Sequence, residues 1–225
     1  MTVMRPAALA AGLAILVAVP SAGAAPEAPP APPAAAARIF DAYGPTFPLA
    51  ISVAAKDGSL AADDAWIAAQ IDAANDLFGP IGIHFRWLLR KEIAPAHFEM
   101  HSRADRDALA ALVEKNAIDV FVVSQLEDVD EPGRMRKGVA WTAKAAGKRY
   151  LILSAAAPRG VLTHELGHFF GNAHTDVPDN LMSYSRTESG TVFLDDAQIA
   201  RSRELALHFL SSGRLPDAGP PRRLR

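Results

Sequence analysis

The chain of 225 residues has no cysteine, no hydrophobic run long enough to span a membrane and no strong excess of charge of either sign. Without cysteine it can form no disulfide bond and carry no lipid on a thiol. The apolar run Ala7–Val19 has 13 residues, fewer than the roughly 20 that cross a bilayer. The formal net charge is −2, which gives no reason to expect a nucleic-acid partner.

The amino terminus has the features of an export signal. Arg5 precedes the apolar run, and Ala22-Gly23-Ala24 is a small-residue cleavage site. We therefore expect a signal peptide over residues 1–24 with cleavage after Ala24, and a secreted or periplasmic protein. Residues 25–37 are almost entirely Ala and Pro and predict an extended linker. We expect one folded domain over residues 38–215 and a flexible basic tail over residues 216–225.

One stretch, residues 164–174, concentrates side chains that bind metal. His164 and His168 are four residues apart, which places both imidazoles on one face of a helix. Gly171 can adopt the left-handed conformation that ends a helix, so that the chain returns His174 toward the same point. Three imidazoles and an open fourth position make a catalytic zinc site. Glu165 lies beside that site and suits a general base.

The pattern H-E-x-x-H-x-x-G-x-x-H followed by a methionine turn resembles the metzincin zinc endopeptidases. Met182 follows His174 by eight residues. This short interval looks like that of matrixins, and the segment 180–184 is also similar to pappalysin-like bacterial enzymes, so the subfamily stays open. The resemblance covers about residues 138–210. The absence of cysteine departs from matrixins, which use a propeptide cysteine for latency, and excludes that control here.

The resemblance implies a secreted zinc-dependent endopeptidase that acts on a protein or peptide substrate through a zinc-activated water, with Glu165 as general base. Met182 would form an apolar floor below the imidazoles, and Tyr184 would either stabilise an oxyanion or simply fill a turn. Asp176 and Asp179 would bond the ligand histidines or make turns. Two alternatives remain: a zinc-bearing binding module without catalysis, and a zinc hydrolase of a non-protein amide such as peptidoglycan. We assume a monomer.

Periodicity predicts an α+β domain with a mixed, about five-stranded twisted sheet, an active-site helix and a C-terminal helix. The predicted strands are residues 49–54, 83–87, 118–123, 138–142 and 150–154. The predicted helices are residues 63–78, 103–115, 159–170 and 195–210. Residues 138–142 are the candidate edge strand for binding a substrate, with an ordinary surface strand as the alternative. We expect the charged loop 127–137 to be solvated rather than a calcium site, and His97 and His101 to be surface residues.

Overall fold

The computed structural model describes residue 40, residues 44–188 and residues 190–219. The predicted signal peptide and linker lie outside these residues, and so do residues 220–225 of the predicted tail. The described part contains eight strands: β1 Thr46–Lys56, β2 Ser59–Leu60, β3 His84–Ile93, β4 Glu99–Met100, β5 Ile118–Val123, β6 Gln125–Leu126, β7 Gly138–Ala143 and β8 Lys148–Ser154. Its four α-helices are α1 Asp64–Phe78, α2 Arg103–Ala108, α3 Val161–Phe169 and α4 Asp196–Ser211.

Five of the strands form the main sheet in the order β3-β1-β5-β8-β7, and the short β2 extends it by pairing with the end of β1. Strands β3, β1, β5 and β8 are parallel, while β7 is antiparallel to β8. The apolar run of β5 is buried along its whole length, as expected for a central strand covered on both faces. The predicted α+β class and mixed sheet are confirmed. Strand β7 is an edge strand.

Two hydrophobic cores cover the two faces of the sheet. The core that supports α1 and α3 contains an aromatic cluster whose ring centroids lie 5.5–6.0 Å apart, formed by Phe47, Phe78, Phe85 and Phe170. The opposite core is built around Phe121 and Tyr150, whose rings meet edge to face at 5.3 Å. Because α3 packs against the first core through Leu162 and Leu166, its opposite face is left for the histidines.

Two helix ends differ from prediction by two residues or more, and the other ends agree to within one residue. The predicted helix 103–115 ends at Ala108, and a 3-10 turn covers Leu109–Leu112. The helix cannot continue because Val113 is extended and the Glu114 N–H donates to the Asp119 carboxylate at 2.9 Å. The predicted helix 159–170 begins only at Val161, since Gly160 has φ +97°.

The first residues of the predicted tail lie against the domain. Asp217 Oδ1 accepts the Thr46 N–H at 3.0 Å, and the Ala218 N–H donates to the Thr46 carbonyl at 2.8 Å. Leu215 is buried. Residues 216–219 therefore belong with the folded domain, because their backbone pairs with the start of β1. None of the described helices is both long enough and apolar enough to cross a membrane.

Candidate metal centre

Helix α3 and the turn that follows it bring three imidazoles together. His164 and His168 lie one turn apart, with ring centroids separated by 4.8 Å. Gly171 adopts φ +85°, and its N–H donates to the His168 carbonyl at 2.9 Å, so the helix ends there as the sequence predicts. The chain then returns His174, whose Nε2 lies 3.3 Å from His164 Nε2 and 3.0 Å from His168 Nε2.

The spacing of these nitrogens fits a tetrahedral zinc ion. Zn–N bonds of about 2.0–2.1 Å place two tetrahedral ligand atoms roughly 3.4 Å apart, close to the two distances that join His174 Nε2 to the other rings. The ligand atoms of the triad all lie within 4.8 Å of one another. Within the described residues, this triad is the one group of His, Asp and Glu side chains arranged to hold a metal ion.

Backbone carbonyls orient two of the rings. His164 Nδ1 lies 2.8 Å from the Leu181 carbonyl, and His168 Nδ1 lies 2.8 Å from the Asn172 carbonyl. A carbonyl only accepts, so each Nδ1 carries the proton and each Nε2 presents its lone pair to the common point. Burial lowers the pKa of all three rings, that of His168 to about 4. The imidazoles are therefore neutral at pH 7, as metal ligands must be.

The methionine predicted to underlie the rings is fully buried against α3. A Cβ on Gly167 would lie 2.4 Å from Met182 Sδ, so only glycine lets the methionine pack this closely. The turn is also tied to α4, because Asn180 Nδ2 donates to Gln198 Oε1 at 2.8 Å and Asn180 Oδ1 accepts the Met182 N–H at 2.9 Å. The sequence interpretation missed Gly167 and Asn180. A glycine inside a helical pattern was the available signal for Gly167.

Glu165 is buried beside the triad under strand β7. Only 6% of its surface is exposed, and burial raises its pKa to about 7, partly offset by a hydrogen bond with the Ala140 backbone. A Cβ on Gly138 would lie 2.8 Å from Glu165 Oε1 and 2.6 Å from Val161 Cγ1. The edge strand therefore passes directly over the carboxylate because residue 138 has no side chain, a contact that sequence reasoning did not find.

Tyr184 stands at the open side of the triad. Its hydroxyl lies 2.9 Å from His174 Nε2, while 73% of the residue is exposed. The two aspartates considered as partners of the histidines make no hydrogen bond to a ring. Asp179, at φ 60°, accepts the N–H and hydroxyl of Thr187 at 2.8 and 2.5 Å, which is a turn role, and Asp176 is exposed.

The carboxylates of Asp128 and Glu127 in the charged loop 127–137 bond to other groups of the loop or to a neighbouring histidine. Asp128 accepts the N–H groups of Asp130 and Glu131 and pairs with Arg136. Glu127 accepts the Gly133 N–H at 2.6 Å and pairs with His101. These carboxylates already have partners. Among the described residues, no carboxylate of this loop belongs to a group that could hold a metal ion.

Two pockets meet at the triad. The larger, about 950 Å³, includes His164, Glu165 and Tyr184 in its wall. The smaller, about 500 Å³, includes Glu165, Tyr184 and the other two histidines of the triad. The arrangement is a cleft with the metal-binding side chains at its centre and β7 along one side.

No protein-family model matches the sequence, and no curated protein matches it. Solved structures share its fold. Metalloproteinase-II from Bacteroides fragilis superposes with a TM-score of 0.53 and 16% identity, over 72% of this chain and 53% of that one. Mature mirolysin from Tannerella forsythia, in complex with a cleaved peptide, superposes with a TM-score of 0.55 and 12% identity, over 71% and 90%. The chain has the fold of these proteins, one of which is named a metalloproteinase.

This likeness concerns the fold alone, because the identities are low. The chain matches about half the length of the Bacteroides fragilis protein and nine tenths of mirolysin. Function must therefore be argued from the side chains of the cleft.

Proposed function

We propose that this chain is a secreted zinc-dependent endopeptidase of the metzincin type. The observation that carries the proposal is the convergence of three neutral Nε2 atoms next to the buried carboxylate of Glu165, beneath an edge strand. His164, His168 and His174 would hold the ion. Met182 would support their rings from below without binding it. Because residue 138 is glycine, strand β7 can lie directly against the carboxylate of Glu165.

Zinc, when bound in such a site, acts as a Lewis acid that polarises a carbonyl and makes water acidic near neutral pH. Glu165 would accept the proton of the attacking water and pass it to the leaving amine. The raised pKa of its carboxyl, about 7, suits both directions of transfer at neutral pH. Tyr184 would donate its hydroxyl to the developing oxyanion.

Strand β7 would bind the substrate backbone. Among the described residues it pairs on one side only, with β8. Apart from the Ala140 backbone group that bonds Glu165, its other edge offers N–H and C=O groups to an extended peptide. Mirolysin, which shares the fold, is seen in complex with a cleaved peptide. An extended peptide added to β7 would cross the cleft above Glu165, because Gly138 in this strand contacts that carboxylate.

The Glu165→Gln variant tests the mechanism. It should retain one zinc ion per chain, measured by elemental analysis, and lose hydrolysis of a fluorogenic peptide library by a factor of about 10² or more. Glu204→Gln, an exposed substitution on α4, is the matched control and should remain fully active. Undiminished cleavage by Glu165→Gln would refute the assigned role.

The role of Tyr184 is tested by Tyr184→Phe, which removes only the hydroxyl. Loss of one oxyanion donor should lower kcat by about 10²-fold, with little change in KM. An unchanged kcat would leave Tyr184 as a turn residue.

Two further measurements separate the alternatives. Casein and peptidoglycan digests compared side by side would distinguish an endopeptidase from a hydrolase of a cell-wall amide. Zinc-loaded protein that cleaves neither would favour a binding module. Export is tested by sequencing the amino terminus of the secreted protein, which should begin at Ala25.

A further inference from the structure

The larger of the two pockets at the triad has an unusual distribution of charge. Its lining includes the apolar side chains of Val161, Leu181, Val192 and Leu194. Its wall carries five cationic side chains, namely Arg134, Arg136, Lys137, Arg159 and Arg186. The carboxylates in the wall are Asp76 and the buried Glu165. We call this space the basic pocket.

Three of the five cations are neutralised by neighbouring carboxylates. Arg134 Nη1 lies 2.7 Å from Glu131 Oε2, Arg159 Nη2 lies 2.7 Å from Asp76 Oδ2, and Arg136 pairs with Asp128. Each of these pairs carries no net charge. A ligand that approached any of the three would have to compete with a carboxylate already in place.

The other two cations have no such partner. Among the residues that the structure describes, no carboxylate lies within 4.0 Å of the Lys137 ammonium or of the Arg186 guanidinium. Arg186 Nη1 donates to the carbonyls of Asn180, Ser183 and Ser185 at 3.1, 2.7 and 2.9 Å. Carbonyls fix the position of the guanidinium without forming an ion pair, so neither cation is held by a carboxylate, although the charge of Arg186 also acts on the carboxylate of Asp179.

We propose that the basic pocket receives a carboxylate of the substrate, so that the enzyme prefers an acidic group beside the bond it cleaves. The proposal rests on the peptidase function. The carboxylate belongs to an Asp or Glu side chain or to a free carboxyl terminus. The apolar part of the lining accepts the methylene groups of the residue, and Lys137 and Arg186 attract its charge. Lys and Arg side chains are repelled by the same two charges.

The test uses peptide pairs that differ only by Glu against Gln at each position flanking the scissile bond, and pairs that end in a carboxylate or an amide. The ratio of kcat/KM, acid over amide, should exceed one at a single position. Lys137→Gln should lower that ratio by about two- to fivefold, because exposed ion pairs are weak. Salt should lower it as well. Lys115→Gln, an exposed lysine outside the pocket, is the matched control.

Arg186 needs a different comparison, because its hydrogen bonds also support the turn. Arg186→Lys keeps the charge and Arg186→Gln removes it, and both lose part of the carbonyl network. A lower acid preference in Arg186→Gln than in Arg186→Lys supports the proposal. Equal loss of acid preference in both variants assigns Arg186 a structural role and overturns its part in the proposal.

Binding to the inactive Glu165→Gln protein, measured by fluorescence anisotropy with the same peptides, separates this inference from the peptidase function. Cleavage without acid preference overturns the inference alone. Preferential binding of acidic peptides without cleavage by the wild type supports the pocket and overturns the peptidase. If binding differs between the Glu and Gln peptides but not between the carboxylate-ended and amide-ended peptides, the pocket receives an acidic side chain. The reverse result shows that it receives a carboxyl terminus. Equal binding of all pairs overturns the inference.

Discussion

Replacing Gly138 by alanine tests whether close approach of the edge strand to Glu165 matters for activity. The new Cβ would lie 2.6 Å from Val161 Cγ1 and 2.8 Å from Glu165 Oε1, whereas ordinary contacts begin at 3.4 Å. Strand or side chain must therefore move by about 0.6–0.8 Å. The backbone of residue 138 lies in a strand without positive φ, so alanine adds no conformational strain and the effect comes from the contact alone.

A displacement of about 1 Å at a reacting group costs on the order of 10²-fold in rate. We therefore expect Gly138→Ala to lower kcat/KM by about 10- to 100-fold, which corresponds to roughly 1.4–2.7 kcal/mol of transition-state stabilisation. The extra methyl group should also destabilise the fold by about 1–3 kcal/mol. Zinc content should not change, because the three atoms nearest to the new Cβ belong to Val161 and Glu165 and not to a histidine.

The assay is peptide hydrolysis at matched zinc content, with thermal unfolding recorded on the same preparations. Gly79→Ala is the matched control, since Gly79 has an ordinary φ of −55° and a Cβ there meets only the His84 ring at 3.4 Å. It should keep full activity. Wild-type kcat/KM in Gly138→Ala, at equal zinc content, would refute the idea that this contact positions Glu165.

Three further substitutions test other parts of the structure. Gly167→Ala would force its Cβ to 2.4 Å from Met182 Sδ and should destabilise the fold by about 1–3 kcal/mol in denaturant titrations; unchanged stability would contradict the observed packing. Ser202→Ala removes the hydroxyl that accepts from the buried Asn172 amide at 2.9 Å, which should cost about 1–3 kcal/mol and weaken zinc binding in competition with a chelator. Burial raises the pKa of Asp119 from 3.8 to about 6, so the folded state favours the protonated acid and the contribution of Asp119 to stability should fall as the pH rises from about 4 to 6. Relative to wild type, Asp119→Asn should gain roughly 2 kcal/mol between pH 4 and pH 7, and a pH-independent difference would refute that assignment.

Local patterns predicted the elements whose determinants are close together in the sequence. The apolar run Ile118–Val123 predicted a fully buried central strand, and β5 has this burial and these bounds. The spacing of His164 and His168 and the glycine at 171 predicted a helix that ends in a left-handed residue, as observed. Each of these features depends on residues within one or two turns of chain.

The features that sequence reasoning missed depend on residues that are distant along the chain. Gly138 meets Glu165 across 27 positions, and nothing in the local pattern of either segment indicates the contact. The helix after Arg103 was predicted too long for a local reason instead: Val113 is extended, and the Glu114 N–H bonds the Asp119 side chain rather than continuing the helix. Periodicity identifies which face of an element is buried, and it does not identify the partner on that face.

Residues of helix α4 form hydrogen bonds to the residues that orient the candidate metal ligands. The helix supplies no ligand, and the sequence assigned it only apolar packing. Two buried side-chain pairs nevertheless connect it to the carbonyls that orient the rings: Ser202 accepts from Asn172, whose own carbonyl bonds one histidine, and Gln198 bonds Asn180, which is next to Leu181 and its carbonyl. Metal ligands held by such outer partners lose about 10- to 100-fold in affinity when the partners are removed. Substitution of Ser202 or Gln198 should therefore change zinc affinity by more than the distance of these residues from the ion would indicate.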